Sequence, residues 1–125
     1  MRIKDLVVDC RHAASLARFW AAVLDGYHVA PYDEAELERL AQAGITSTED
    51  DPTVLVAAEP GALRIFFQAV PEPKTTKNRL HVDVQVDVLT AGSSSITELG
   101  GTVIATYDDH VVVADPEGNE FCLFQ

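Results

Sequence analysis

Leu24-Asp25-Gly26-Tyr27-His28-Val29-Ala30 returns further along the chain as Leu99-Gly100-Gly101-Thr102-Val103-Ile104-Ala105. Each copy reads as the end of a helix, a glycine turn and the start of a strand, an order of elements that chance seldom repeats. Upstream of the first copy, Ile3 to Cys10 is short and β-branched, as in a strand, and Ala13 to Asp25 carries Leu16, Phe19, Trp20, Val23 and Leu24 at helical spacing. Downstream, Tyr27 to Ala30 is a second strand, and Thr53 to Ala58 and Leu63 to Val70 form a hairpin across Glu59-Pro60-Gly61. The second copy is framed in the same way. Leu80 to Asp87 is a strand and Leu89 to Leu99 a polar helix; Thr102 to Thr106, His110 to Ala114 and Glu120 to Phe124 are strands, the last entered through the turn Asp115-Pro116-Glu117-Gly118-Asn119. The expected fold is therefore α+β: one domain over 1–125, built of two tandem βαβββ modules, 1–70 and 80–125, joined by a linker over 71–79. Two such halves imply a curved, mostly antiparallel sheet around a central cleft. Residues 32–52, acidic and helix-prone up to Gly44 and then polar, read as an insertion between strands, either a lid or a surface loop.

Composition narrows the function. A chain of 125 residues with 47% hydrophobic and 23% charged residues buries one continuous core. No apolar run approaches the ~20 residues that cross a bilayer, and Asp5 and Asp9 interrupt the only apolar stretch near the start, so a cytoplasmic protein is expected. A formal net charge of −11 repels phosphate backbones and anionic lipid, which sets nucleic acid and membranes aside as partners. The two cysteines, Cys10 and Cys122, are too few and too far apart for a disulfide framework or a zinc-knuckle spacing, and are read as reduced thiols.

Candidate site residues come from strand parity. Over Leu80 to Val86, alternation puts Leu80, Val82, Val84 and Val86 on one face and His81, Asp83 and Gln85 on the other. If the valine face packs on the helices, the polar row lines the cleft. Phe66 and Phe124 are candidate apolar walls, and Cys122 is a candidate polar fixture, read as a small thiol rather than a nucleophile. The one basic cluster, Lys74, Lys77 and Arg79, precedes the His81 strand and reads as linker residues answering nearby carboxylates.

Three stretches carry a family resemblance. They are Phe19-Trp20 followed by Leu24 and Gly26; Lys77-Asn78-Arg79-Leu80-His81-Val82-Asp83; and Asp115-Pro116-Glu117-Gly118-Asn119-Glu120-Phe121. Together they resemble the vicinal oxygen chelate superfamily, with its glyoxalases, bleomycin-resistance proteins, fosfomycin-modifying enzymes and extradiol dioxygenases, and above all its compact glyoxalase-like domains. The resemblance implies a divalent metal held by His, Gln or Glu from the first and last strands of both halves. His81 matches one such position. A second, normally a carboxylate, is occupied by Cys122, and a thiol suits softer ions than those of the superfamily. In the first half the matching places fall on Asp5 or Leu6 and within Arg64 to Gln68, where Gln68 is the plausible neutral ligand.

These readings together point to a protein that binds a small organic molecule in the cleft between the modules, with no metal ligands assigned and no resident cofactor. The ligand-binding set is His81, Asp83, Gln85, Phe66, Gln68, Cys122, Phe124 and Asp5. Sequestration of a drug or natural product follows from the resemblance, as does a homodimer. The alternatives are a metal-dependent lyase, isomerase or dioxygenase, for which a divalent metal is the cofactor, and a metal-free enzyme with His81 or Asp83 as general base.

Overall fold

A computed structural model describes all residues, Met1–Gln125. The chain divides into two compact units, Met1–Pro73 and Lys74–Gln125. The first runs β1 (Asp5–Cys10), α1 (Ala13–Val23), β2 (His28–Val29), α2 (Glu34–Gln42), a single 3-10 turn (Thr48–Asp50), β3 (Thr53–Ala57) and β4 (Arg64–Ala69). The second runs β5 (Asp83–Gln85), α3 (Leu89–Glu98), β6 (Thr102–Thr106), β7 (His110–Ala114) and β8 (Glu120–Phe124). The fold is α+β, and the tandem βαβββ order is present.

Each unit has its own four-stranded sheet, in the orders β1-β4-β3-β2 and β5-β8-β7-β6. The sheets are mixed: β1 pairs with β4 and β5 with β8 in parallel, and the other neighbours are antiparallel. The parallel pairings follow from the helix after the first strand of each unit, a crossover that a tight hairpin does not permit. In the first unit α1 lies on the sheet through Ala13, Leu16, Ala17, Phe19 and Trp20, against Val54 and Val56 of β3 and Ile65 and Phe67 of β4, all buried. Trp20 is thus core, set edge-on to Phe19 at 5.8 Å between ring centres. In the second unit α3 turns only Ile96 fully inward, over Val111, Val113, Phe121 and Leu123.

Gly100 directly follows the C-cap of α3, Leu99, and Gly26 sits in the turn after α1 closed by the Tyr27 N–H to the Leu24 carbonyl; they take φ of 97° and 75°, the left-handed region open to glycine. The structural partner of Gly26 is therefore Gly100, whereas the sequence repeat aligns it with Gly101. The neighbouring Gly101 serves close approach, because a Cβ there would lie 2.6 Å from Ile96 Cγ2 and 2.7 Å from the Ala114 carbonyl oxygen.

The opening strand of the second half differs most in extent from its expectation. The strand expected from Leu80 begins only at Asp83, and Leu80 is 67% exposed rather than packed with the valines. Ahead of it, Asn78 donates from its backbone N–H and side-chain amide to the Glu120 carboxylate and carbonyl, at 3.1 and 3.2 Å, which holds this segment off the ladder. The 32–52 insertion is packed and tied down: Leu40 is buried, and Arg18 of α1 grips Glu49 with two hydrogen bonds of 2.7 and 2.8 Å. At the free edge of the second sheet, β6 carries a bulge between Val103 and Ala105 that leaves Ile104 unpaired.

Candidate ligand-binding site

In the second unit, the sheet face opposite α3 is set by register. Asp83 pairs with Cys122, and Cys122 with Val112; Gln85 pairs with Phe124, and Phe124 with His110. His81 stands ahead of Asp83 on the same face, with its Nε2 3.5 Å from Asp83 Oδ1. The donor atoms of His81, Asp83 and Cys122 all lie within 4.8 Å of one another. Burial pushes the Cys122 thiol above its ordinary pKa; the negative charge of Asp83 and the hydrogen bond between them add to this, while Lys77 opposes it. Cys122 is thereby a poor nucleophile. Beside this cluster three rings stack in a row, Tyr107 on His110 at 4.6 Å and His110 on Phe124 at 5.1 Å, and His110 Nδ1 contacts Asp109 Oδ1 at 2.7 Å.

Glu120, the first residue of β8, is held by the segment ahead of β5. Burial alone would raise its carboxyl, but the backbone N–H of Asn78, its own backbone N–H and the Lys74 ammonium at 3.1 Å outweigh that and hold it at about 2. A depressed carboxyl stabilises the fold above its unfolded pKa of ~4.3 and loses that contribution as pH falls toward 2. After allowance for solvent around the pair, the contribution is about 1–2 kcal/mol. Glu120→Gln is expected to lower stability at pH 7 and to flatten its decline below pH 4, read by urea denaturation across pH.

In the first unit the register of β1 resolves to Asp5. In both sheets the buried residues of the last strand, Ile65 and Phe67 or Phe121 and Leu123, alternate with those on the open face. Val7 pairs with Phe66 as Asp83 pairs with Cys122, so Asp5 stands where His81 stands, and Phe66 where Cys122 stands. Asp5 is committed to Arg64, whose Nε and Nη2 meet its Oδ1 at 2.8 and 2.7 Å, and the guanidinium also lies 5.5 Å over the Phe66 ring. Gln68 shares this face and is exposed.

A cavity of about 470 Å³ opens in the same unit, between the insertion and the sheet. Leu55 and Phe66 supply apolar wall, and Tyr32, Glu36, Arg39, Asp51 and Thr53 supply polar groups. Its organiser is Asp51, with a side chain 1% exposed. The carboxylate accepts from Tyr32 Oη at 2.9 Å, Arg39 Nη2 at 2.9 Å and the Thr53 backbone N–H at 3.0 Å. Burial first, and then Asp51, push the Tyr32 phenol up to about 12, so it stays protonated and donating. Of the residues singled out in sequence, only Phe66 lines this cavity. Tyr32, Arg39 and Asp51 carry no periodic signal, and Asp33, which caps α2 by accepting from the Glu36 N–H at 2.9 Å, is the one local cue that residues 34–42 are built rather than loose.

The donor chemistry does not fit the four-ligand metal centre that the resemblance implies. In the first unit one matching position carries Phe66, a hydrocarbon ring, and the other carries Asp5, neutralised by Arg64.

Two parallel-ended βαβββ sheets, each with an open face of mixed polar and aromatic residues, define the vicinal oxygen chelate class. The glyoxalase-like domain model matches residues 5–124, and the chain belongs to that family. Solved structures share the fold. A glyoxalase/bleomycin resistance protein/dioxygenase family enzyme from Burkholderia phytofirmans PsJN is 16% identical, over 96% of this chain and 94% of that one, with a TM-score of 0.65. The fosfomycin resistance protein FosX from Mesorhizobium loti is 11% identical, over 98% and 90%, with a TM-score of 0.66. A glyoxalase/bleomycin resistance protein from Albidiferax ferrireducens T118 is 15% identical, over 98% and 96%, with a TM-score of 0.57. No curated protein matches the sequence significantly. No helix is long and apolar enough to cross a membrane.

Proposed function

We propose that the protein binds a small planar organic molecule, neutral or cationic, in the cavity between the insertion and the first sheet, without a four-ligand metal centre. The observation that carries this reading is the cavity itself, about 470 Å³ with an aromatic wall at Phe66 and a fixed polar end at Tyr32, Arg39 and Asp51. That size and pairing of surfaces suit a drug-sized ligand. Glu36 and Asp51 outnumber Arg39 there, and a chain of net charge −11 adds a field that favours cations over anions. Sequestration of a drug or natural product in the cytoplasm is the physiological role this supports, as the resistance proteins among the structural neighbours suggest. A homodimer belongs to the same reading and is measured by light scattering. The alternative, a metal-dependent lyase, isomerase or dioxygenase, needs a donor at Phe66, where the ring supplies none, and an Asp5 carboxylate released from Arg64.

The test is fluorescence titration with proflavine, a planar cation, beside 1-anilinonaphthalene-8-sulfonate, an anion. Proflavine is expected to bind more tightly. Phe66→Ala is expected to weaken it about tenfold, which corresponds to about 1.4 kcal/mol. Absence of binding, preference for the anion, or indifference to Phe66→Ala overturns the reading.

A further inference from the structure

The cavity of the first unit has two carboxylates at its polar end, Glu36 and Asp51, and they are not equally placed to meet a ligand. We infer that Glu36 sets the charge preference of the cavity: its carboxylate leaves Arg39 for the cationic group of a bound molecule, while Asp51 stays behind as a fixed anchor. This rests on the reading that the cavity is the binding site, and adds which residue selects the ligand and by what exchange.

Asp51 is fully committed. Its Oδ2 accepts from Tyr32 Oη and Arg39 Nη2, both at 2.9 Å, its Oδ1 accepts from the Thr53 N–H at 3.0 Å, and the side chain is 1% exposed. A ligand that took one of these bonds would strand a donor. Glu36 is the reverse case. Arg39 Nε and Nη2, at 2.9 Å each, both meet its Oε2, which leaves Oε1 without a donor on a cavity-lining side chain that is 47% exposed.

The start of α2 sharpens the contrast. Asp33 caps the helix and Glu36 is its third residue, the position from which a carboxylate ordinarily folds back onto the N–H of the capping residue. Only half of that box forms. The Glu36 N–H donates to Asp33 Oδ1 at 2.9 Å, but the Glu36 carboxylate turns to Arg39 instead. The helix gives up one capping bond, and the cavity gains a carboxylate.

Arg39 tolerates the exchange. Asp51 first and Glu36 second hold its guanidinium above the ordinary arginine range, and the Asp51 bond remains when Glu36 departs, so the charge stays neutralised. The side chain is 43% exposed, and water takes up the N–H that Glu36 releases. A neutral ligand offers Glu36 nothing stronger than Arg39 and leaves that pair intact. The Tyr32 hydroxyl donates its proton to Asp51, which turns the lone pairs of its oxygen into a second acceptor. The ligand class that matches these acceptors is a planar aromatic cation carrying N–H groups.

The experiment titrates the full chain at pH 7 with proflavine, a planar cation with N–H groups, and with acridine, its parent ring, which is uncharged at that pH. Glu36→Gln is expected to weaken proflavine about tenfold and to change acridine by less than about twofold. Glu38→Gln removes the same charge from a side chain bonded to Gln42 outside the cavity wall, and is expected to change neither. Nitrogen NMR of the wild-type chain reads the exchange without any variant: proflavine is expected to speed solvent exchange of the Arg39 Nε–H, which loses Glu36, and acridine is not. Equal effects of Glu36→Gln on the two dyes, a loss in Glu38→Gln as large as in Glu36→Gln, or an Arg39 Nε–H that proflavine leaves unchanged overturns the inference alone, provided Phe66→Ala still weakens proflavine. A wild-type chain that binds neither dye overturns it together with the proposed binding site.

Discussion

Gly101→Ala is expected to cost about 2–4 kcal/mol and to lower the melting temperature by on the order of 10 °C. The added Cβ meets Ile96 Cγ2 at 2.6 Å and the Ala114 carbonyl oxygen at 2.7 Å, both inside any real carbon contact. Ile96 is the one fully buried side chain of α3, and Ala114 lies in β7, paired on one side with Thr102 and on the other with Glu120. The methyl can be accommodated only if α3 lifts from the sheet or β7 shifts within it. Gly44→Ala is the opposite case, a positive φ of 74° with nothing within 4 Å, and is expected to cost about 1 kcal/mol through backbone strain that Gly101 does not carry. Thermal denaturation of the two variants side by side measures the difference, and equal losses would show that close approach at Gly101 is unimportant.

Asp51→Ala is expected to destabilise the fold by about 2–4 kcal/mol, because it strands three donors at once. Tyr32 Oη, Arg39 Nη2 and the Thr53 N–H all converge on a carboxylate that is 1% exposed. Arg39 is half-exposed and keeps Glu36 at 2.9 Å, so it recovers part of its loss, while Tyr32 and Thr53 do not. The Tyr32 phenol reads the same change spectroscopically. Raised to about 12 by burial and by Asp51, it is expected to fall toward the ordinary tyrosine value of ~10 in both Asp51→Ala and Asp51→Asn. Asp51→Asn keeps the shape and removes the charge, so its smaller stability loss separates the two contributions. Ultraviolet titration of the phenols, with urea denaturation at pH 7, measures both; an unchanged Tyr32 titration in Asp51→Asn would exclude the carboxylate as a cause.

The sequence carried the fold because the fold is periodic. Alternation over Leu80–Val86 placed His81, Asp83 and Gln85 on one face, and the turn before Glu120 fixed where β8 starts, so the meeting of Asp83 with Cys122 was latent in two separate strands. It could not choose between Asp5 and Leu6, since a slip of one residue exchanges the faces and only the ladder to Arg64 and Phe66 decides. Leu80 was misread for a related reason: its parity is right, but the strand begins three residues later. His110 carries no signal of its own in the sequence, although it lies opposite Phe124, where cross-strand rings stack. The Asp51 cluster was not legible at all. Its members are separated by a helix and a turn, and what joins them is the docking of α2 through Leu40, a tertiary event with no local spacing.

The irregularity at Ile104 bears on how these molecules behave when crowded. Thr102–Thr106 is a run of mostly β-branched residues at a sheet margin, with Val103 and Ile104 39% and 53% exposed, the kind of segment onto which a neighbouring chain can add a strand and begin a fibril. The extra residue throws the outward N–H and C=O groups out of step, so an incoming strand finds no unbroken run of partners, and growth by edge addition is stopped at the cost of one unpaired position.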